Sequence, residues 1–315
     1  MASSGVLVID KPRGPTSHDV VARVRRALGE RAVGHAGTLD PMATGVLVVA
    51  VGEATKLVPW LTAAHKCYEA TVALGVETDS LDAEGRETRR ADVPPATLEA
   101  LAASRGPSVA HALRDALAAE RARTTQVPPA FSAIQQGGER AYSKARRGEA
   151  VDLAPRGVQV HALDLLACGD DHPPWLVVRV EVSKGYYVRA LARDLAAALG
   201  TVGHLTALRR TRSGCFTLDE ALPLETPPDE LAARVDPLER VAARALPVAR
   251  LSHAGARDAS HGRAVRPEDL DAPASGPCAW LDPEGRLLAV GETDSEGRGR
   301  VLRGFARSEA ANPAK

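Results

Sequence analysis

The segment of residues 34–45, GHAGTLDPMATG, constrains this chain more than any other part of its sequence. Its glycines enclose a polar loop, and six aliphatic residues, 46–51, follow it directly. A short uninterrupted apolar run of this kind is typical of a strand that is buried on both faces. We therefore expect residues 33–41 to form a loop that leads into a buried strand. Pro41 restrains Asp40 to an extended backbone, which would hold that carboxyl group in one place.

Hydrophobic periodicity predicts strands and helices through the rest of the first 245 residues. Apolar residues at every second position indicate strands, and apolar residues three and four apart indicate helices. Strands are predicted over residues 6–10, 46–51, 68–74, 176–183 and 206–210, and helices over residues 16–28, 97–103, 109–121 and 188–199. In the strand of residues 68–74, Tyr68 would share one face with Ala70, Val72 and Leu74. These patterns indicate an α+β fold.

The sequence changes character after about residue 245. A helical pattern and a Pro-rich stretch lead to three short strand patterns, over residues 279–281, 287–291 and 301–305. A β-rich module of this length is near the smallest size that folds alone. We therefore predict two domains, residues 1–245 and residues 246–310.

The charge balance gives a mixed indication about nucleic acid. With 40 basic and 40 acidic residues the net charge is zero, whereas nucleic-acid-binding domains are usually basic. Seven basic residues and two acids lie within residues 179–212, and residues 217–245 contain seven acids and three arginines. The first stretch is compatible with a basic patch, but an ordinary solvated charge run has the same composition.

The cysteines and the hydropathy pattern indicate the cellular compartment in which the protein works. Cys67, Cys168, Cys215 and Cys278 are not at metal-ligand spacing, so we expect neither a metal site nor a disulfide framework. The first residues lack the pattern of a signal peptide, and the longest apolar run is far too short to cross a membrane. We therefore expect a cytoplasmic protein with no membrane partner.

Two segments contain the candidate functional residues. Asp40 would serve as a nucleophile or a base, or it would only cap a turn, as Asp before Pro often does. His35, in the same loop, would be a base, an RNA-stacking residue or a hydrogen-bonding residue that fixes the loop. Tyr187 and Arg189 follow the strand of residues 176–183, and both would face one site if that strand continued through them. The alternative is an arginine at a helix start beside surface tyrosines.

Taken together, these segments resemble the bacterial tRNA pseudouridine-55 synthases, the TruB-type family. The resemblance rests on residues 5–12 (GVLVIDKP), 34–45, 52–56 (GEATK), 66–69 (KCYE), 74–79 (LGVETD), 183–189 (SKGYYVR) and 208–210 (LRR). The resemblance implies a pseudouridine-synthase fold, with a mixed and mostly antiparallel sheet flanked by helices. It also implies a PUA-like C-terminal domain and an RNA-contacting insertion at about residues 127–153.

The resemblance also implies the roles of individual residues. Asp40 would be the nucleophile, Tyr68 would stack on the target uracil and take a proton late in the reaction, and Arg189 would pair with Asp40. The other implied roles are a pocket lining from Tyr187 and Leu208, insertion of His35 into the T-loop, support of the loop by Lys11 and Pro12, and an RNA-backbone contact by Lys56. Asp40 would attack either uracil C6 or ribose C1′, and the sequence leaves both open.

The implied partner is the T-arm stem-loop of tRNA, bound by a monomer without guide RNA and without a cofactor. The chain departs from the family pattern in two places. Many relatives have Tyr and Lys where this chain has Phe131 and Gln135, and they more often have a smaller residue at Tyr186. We expect the pocket wall beside Tyr186 to differ for that reason.

Three other functions compete with this interpretation. A guide-dependent pseudouridine synthase shares the Asp40 and Arg189 motifs, but the segment of residues 128–153 resembles the insertion of stand-alone enzymes. An RNA chaperone of the T-arm would need no catalytic set. A hydrolase or phosphotransferase with an Asp nucleophile would need a metal site or phosphate loop, and the sequence has no pattern for either.

Overall fold

A computed structural model describes residues 4–106, 108–271 and 276–306. The predicted second domain and its Pro-rich stretch therefore extend in part outside the described residues. The strands are β1 (Gly5–Lys11), β2 (Val33–Ala36), β3 (Thr44–Val51), β4 (Lys66–Leu74), β5 (Val76–Thr78), β6 (Glu87–Arg90), β7 (Thr125–Gln126), β8 (Gln135–Gln136), β9 (Glu139–Arg140), β10 (Arg156–Gly157), β11 (Val160–Gly169), β12 (Trp175–Val182), β13 (Gly203–Ser213), β14 (Phe216–Thr217), β15 (Leu222–Pro223), β16 (Asp236–Pro237), β17 (Val248–Arg250), β18 (Cys278–Leu281), β19 (Leu287–Thr293) and β20 (Gly299–Gly304). The helices are α1 (Ser17–Leu28), α2 (Val58–Ala63), α3 (Pro95–Ala103), α4 (His111–Arg121), α5 (Ala141–Arg146), α6 (Val188–Ala198), α7 (Pro228–Ala233), α8 (Leu238–Ala245) and α9 (His253–Ser260).

The larger sheet has the strand order β11-β12-β4-β13-β3-β1-β15, and the short strands β2, β14 and β16 pair with β3, β13 and β1. The β13–β3 and β1–β15 pairs are parallel, and the other pairs of this sheet are antiparallel. A second sheet, of order β17-β18-β19-β20, follows α8. This confirms the predicted architecture of a mixed, mostly antiparallel sheet with helices and a small β-rich module after it. The predicted domain boundary at residue 245 falls at the end of α8, and the division into two domains stays a prediction.

Strand β3 is buried on both faces, as its composition predicts. Leu47, Val49 and Val51 belong to a core formed with α1, α4 and α6, and Val46 and Val48 belong to a second core. This second core also contains residues of α2, α8 and the second sheet. Helices therefore cover one face of the large sheet, and the C-terminal module covers part of the other.

Helix α1 is fixed at both ends by its own sequence. The predicted capping box is present, because Thr16 accepts from the backbone N–H of Asp19 and the Asp19 carboxylate accepts from that of Thr16. Gly29 ends the helix in the left-handed conformation. Val20 and Val24 are fully buried, so α1 is held against β1 and β3 along its length.

One local prediction was wrong. Residues 33–36 form β2 instead of the start of a loop, because they find hydrogen-bond partners along β3, with Val33 paired to Val51. The strand before the Tyr187 segment ends at Val182 and does not continue through Tyr187 and Arg189, and α6, which begins at Val188, confirms the helix predicted over residues 188–199. In the part of the chain that the structure describes, no helix is long and apolar enough to cross a membrane.

Candidate active site

The Asp40 loop, defined here as residues 37–43, connects β2 to β3 and is held by the turn before α1. The Ser17 hydroxyl donates to the backbone oxygen of Leu39 and accepts from its N–H, at 3.0 and 2.9 Å. The N–H of Gly14 donates to the backbone oxygen of Pro41 at 2.9 Å. Because Ser17 is the first residue of α1, the helix start and the loop form one hydrogen-bonded unit.

Lys11 also supports the Asp40 loop, through hydrogen bonds to backbone oxygens. Its Nζ donates to the backbone oxygens of Ala43 at 2.7 Å, Pro41 at 3.1 Å and Pro12 at 3.0 Å. The side chain is fully buried, and this burial lowers the pKa of Lys11 to about 8. The predicted bracing role of Lys11 and Pro12 agrees with these contacts and remains a prediction for catalysis.

Arg210, which lies on β13, is hydrogen-bonded to the Asp40 loop. Its guanidinium, fully buried, donates to the backbone oxygens of Gly37 at 3.0 Å, Thr38 at 3.4 Å and Val46 at 2.7 Å. At Gly45 (φ +100°) the β3 backbone passes so close that an added Cβ would lie 2.2 Å from the Arg210 backbone oxygen. Glycine is thus required here both by the positive φ and by the approach of β13.

Arg189 orients the Asp40 carboxylate. Its Nε lies 3.0 Å from Asp40 Oδ2, and its two terminal nitrogens donate to the backbone oxygens of Ser80 at 2.9 Å and Phe131 at 2.8 Å. Arg189 is 7% exposed, while the Asp40 side chain is 38% exposed. The guanidinium is thus fixed by three partners, and the carboxylate that it holds faces open space.

Asp82 is a site residue that the sequence interpretation missed. Its carboxylate lies 3.6 Å from Arg189 Nη1, accepts from the Ser80 hydroxyl at 2.6 Å and accepts from the N–H of Glu84 at 3.0 Å. Leu81, between Ser80 and Asp82, has a positive φ of 62°, so this turn is strained where it meets Arg189. The sequence feature that could have indicated Asp82 is the turn-forming run that follows the 74–79 motif.

The loop, α6 and the insertion enclose a cavity of about 680 Å³. Asp40 and Arg189 lie in its wall together with Tyr68, Tyr187 and Leu208, so the structure brings these five predicted residues together. Tyr68 projects from β4 and is 9% exposed. The buried amide of Gln126 fixes the backbone of Tyr187, accepting from its N–H at 2.9 Å and donating to its oxygen at 3.2 Å. An aromatic and polar cavity of this volume is suited to a single nucleotide.

Three cations lie in the cavity wall besides Arg189, namely the buried Arg210, Lys66 and Lys184. Lys66 donates to the backbone oxygens of Thr62 at 2.7 Å and Ala64 at 2.6 Å, and burial lowers its pKa to about 8. Lys184 lies in the turn before α6. Lys184 is exposed, and its positive charge favours an anionic ligand such as a phosphate, whereas Lys66 is buried and bound to the backbone.

His35 lies outside the residues that line the cavity, on β2. Its ring meets the ring of His18 edge-on at 5.3 Å between centroids, and its Nδ1 is buried without a hydrogen-bond partner among the described residues. Burial lowers the pKa of His35. Its predicted insertion into the T-loop stays a prediction.

Lys56 lies away from the cavity, at the contact between the two sheets. It pairs with Glu53 at 2.6 Å, donates to the backbone oxygen of Gly304 at 3.3 Å and lies 5.8 Å from the centroid of the Phe305 ring. The side chain is therefore engaged within the protein, and its predicted RNA contact stays a prediction.

The charge run of residues 179–212 does not form one basic patch. Most of its basic side chains have acidic partners: Arg179 with Glu69, Arg193 with Asp194, Arg209 with Asp10, and Arg212 with Glu181. Arg189 and Arg210 are buried at the Asp40 loop. This stretch is therefore better described as a run of solvated and paired charges than as a basic patch.

Tyr186 shows how the cavity wall accommodates a large residue at this position. The tyrosine is 9% exposed, and its hydroxyl donates to Glu120 Oε1 on α4 at 2.6 Å. Glu120 is 1% exposed and also accepts from Arg123 Nε at 2.7 Å. Burial raises the pKa of Glu120. The hydrogen bond from Tyr186 to Glu120 therefore connects the turn before α6 to α4.

Tyr186→Phe should lower the free energy of unfolding by about 1–3 kcal/mol, because it removes the hydroxyl that satisfies the buried Glu120 carboxylate. Urea denaturation followed by circular dichroism measures this. Tyr142→Phe is the matched control, since Tyr142 also lines the cavity but is 39% exposed. Equal stabilities of the two variants would show that the Tyr186–Glu120 hydrogen bond contributes nothing.

The insertion carries the other departure from the family pattern. Gln135, in the hairpin strand β8, is exposed, and Phe131 packs edge-on against Tyr142 with ring centroids 6.0 Å apart. Phe131 and Tyr142 both line the cavity, so the insertion closes the site on one side. Arg189 binds the backbone oxygen of Phe131, so this contact does not depend on which side chain is present at position 131.

Comparison with known proteins gives consistent family matches. Residues 25–188 match the model of the TruB family pseudouridylate synthase N-terminal domain, and residues 189–243 match that of the tRNA pseudouridylate synthase B C-terminal domain. The boundary between these matches lies inside α6. The tRNA pseudouridine synthase B of Thermobifida fusca (strain YX) is 47% identical over 93% of this chain and 96% of its own length. That of Arthrobacter sp. (strain FB24) is 44% identical over 97% of both chains.

Solved structures give the same fold. A chain in the crystal structure of a Cbf5–Nop10–Gar1 complex has a TM-score of 0.70 and 25% identity, covering 96% of this chain and 84% of that one. A chain in an archaeal box H/ACA Nop10–Cbf5 complex has a TM-score of 0.67 and 24% identity, covering 97% and 87%. The second likeness shows the fold alone.

Proposed function

The chain belongs to the TruB family of pseudouridylate synthases, and on that premise we propose that it isomerises uridine 55 in the T-loop of tRNA, with Asp40 as the nucleophile. It is an isomerase that acts on uridine in tRNA, as the names of its relatives indicate. The position in the T-loop and the role of Asp40 are the new parts of the proposal. The observation that carries them is the half-exposed Asp40 carboxylate, fixed by buried Arg189 at 3.0 Å in the wall of a nucleotide-sized cavity.

The reaction breaks the bond between uracil N1 and ribose C1′ and forms one between C5 and C1′. The C5 proton is lost and N1 gains one, so the exchange is balanced within a single nucleoside and consumes no redox equivalent. Asp40 supplies the attacking oxygen, at uracil C6 or ribose C1′, and Arg189 holds that oxygen in place through a charge-assisted hydrogen bond.

The target base must leave its stack before Asp40 reaches it. Flipping a nucleotide costs a few kcal/mol, and stacking on an aromatic ring offsets part of this. Tyr68 and Tyr187 supply aromatic rings in the cavity wall, and Leu208 an apolar surface. We assign Tyr68 to stacking on the uracil and to removal of the C5 proton.

The guide-dependent alternative is supported by the fold, since similar chains occur in complexes named for Cbf5, Nop10 and Gar1. The identity of 44–47% with tRNA pseudouridine synthases B over nearly the whole chain favours direct action on tRNA. We propose that the protein acts as a monomer on the T-arm without guide RNA.

Tritium release from tRNA labelled at uracil C5 tests the proposal. We expect the protein alone to release one tritium for each unmodified tRNA transcript that carries uridine 55, and none beyond background when that uridine is replaced by cytidine. Release that persists after the replacement would place the target elsewhere. No release by folded protein that binds the T-arm would favour the guide-dependent or chaperone function.

A further inference from the structure

Helix α1 and its flanking turns present arginines that have no acidic partner. The side chains of Arg13, Arg23, Arg25, Arg26 and Arg31 are all exposed, and we call them the α1 arginine surface. Within the described ranges, no carboxylate oxygen lies within 4.0 Å of any of their guanidinium nitrogens. This contrasts with the run of residues 179–212, where the exposed or partly buried arginines are paired with acids.

The carboxylates close to this surface form no ion pair with it, and Glu84 acts on Arg13 only at longer range. Asp19 is used in the capping box of α1, and the Glu30 carboxylate accepts from the N–H of Ala32 at 2.8 Å. Asp229 and Glu230 on α7, which packs beside α1, reach none of these guanidinium groups within 4.0 Å. The surface is thus a local excess of positive charge on a protein whose net charge is zero.

The surface begins at the active site and leads away from it. Ser17, at the start of α1, is bonded to the Asp40 loop, and His18 in the next position touches His35. At the other end, Arg25 donates to the backbone oxygen of Val33. The preceding residue, Ala32, accepts from the N–H of Gly52, and the residue after Gly52, Glu53, accepts from the N–H of Ala306. A helix of 12 residues is about 18 Å long, so the arginines extend from the Asp40 loop toward the C-terminal module.

We propose that the α1 arginine surface binds the phosphate backbone of the T-stem, the double-stranded RNA next to the loop that contains the target uridine. Arginine binds phosphate through two parallel hydrogen bonds, and double-stranded RNA is recognised mainly through its backbone and shape. A stem that leaves the cavity along α1 meets unpaired guanidinium groups in succession. This inference rests on the proposed function, because it takes the T-arm as the substrate.

The salt dependence of binding measures these contacts. Each phosphate contact contributes about 0.7–0.9 to the slope of log K against log salt concentration. The variant with Arg23→Gln, Arg26→Gln and Arg31→Gln should bind a T-arm stem-loop with a slope that is smaller by roughly two to three. Its KM for tRNA should rise while kcat stays unchanged, because none of the three residues lines the cavity.

Matched single variants exclude a general effect of charge. Arg114, an exposed and unpaired arginine on α4, lies near the opposite edge of the large sheet, where α4 packs on β11. Arg26→Gln should reduce the salt slope by about 0.7–0.9, and Arg114→Gln should leave it unchanged. Equal slopes for Arg26→Gln and Arg114→Gln would overturn the assignment of the surface.

The outcomes separate this inference from the proposed function. Suppose that the wild-type protein releases tritium from the T-arm and that the triple variant has the wild-type salt slope. This result would contradict the role of the α1 arginine surface and leave the proposed function intact. A wild-type protein that neither binds the T-arm nor releases tritium would remove the function itself. A triple variant whose kcat falls while its salt slope is unchanged would contradict the inference as well.

Discussion

Asp40→Asn should lower tritium release from labelled tRNA by about 10⁴-fold or more, the size of effect seen when an enzyme loses its nucleophile. The amide is nearly isosteric with the carboxylate and still accepts a hydrogen bond from Arg189 Nε, so the loop should keep its shape. Affinity for the T-arm should stay within about threefold of wild type, because phosphate contacts dominate RNA affinity. Single-turnover release and equilibrium binding with the same RNA measure both quantities.

The chain supplies a matched control for this change. Asp10 also pairs with an arginine, Arg209, at 2.8 Å, and is similarly exposed, but it is absent from the cavity wall. Asp10→Asn should therefore keep nearly full turnover. If Asp40→Asn turned over at a rate comparable to that of Asp10→Asn, Asp40 would not be the nucleophile.

Much of the architecture was predictable because it depends on local patterns. The capping box and Gly29 define α1, and the apolar run of residues 46–51 identifies the two-sided strand. The 203–213 strand was predicted at only half its length, since its last three residues, Thr211, Arg212 and Ser213, are all polar and give no alternating pattern. Strand β11 was not predicted at all, because its pairing with β12 is interrupted by irregular register.

The candidate site was predictable only where a residue belongs to a recognisable motif. Asp40, Tyr68 and Arg189 lie in such motifs, and the structure places them around one cavity. Asp82 and Gln126 act through backbone and side-chain contacts with residues far away in sequence, 107 positions in the case of Asp82 and Arg189. No spacing rule connects such pairs, since only the packing of α6 against the large sheet brings them together.

Loss of the Arg189 side chain should be almost as severe as loss of Asp40. Arg189→Ala leaves Asp40 without its orienting partner and Asp82, 4% exposed, as a buried carboxylate without its cation. Breaking one partner out of a buried pair costs about 3–5 kcal/mol of stability. We therefore expect turnover to fall by about 10³-fold, the effect of misplacing a reacting group, together with a lower midpoint of urea unfolding.

The double variant Arg189→Ala with Asp82→Ala separates the two effects. Removing Asp82 takes away the buried carboxylate that Arg189→Ala leaves without its cation, so much of the lost stability should return. Turnover should not return, because Asp40 still lacks the guanidinium that fixes its oxygen at 3.0 Å. Recovery of stability and activity together would mean that Arg189 serves the fold and that Asp40 needs no orienting cation. Recovery of stability alone would establish Arg189 as the residue that positions the nucleophile.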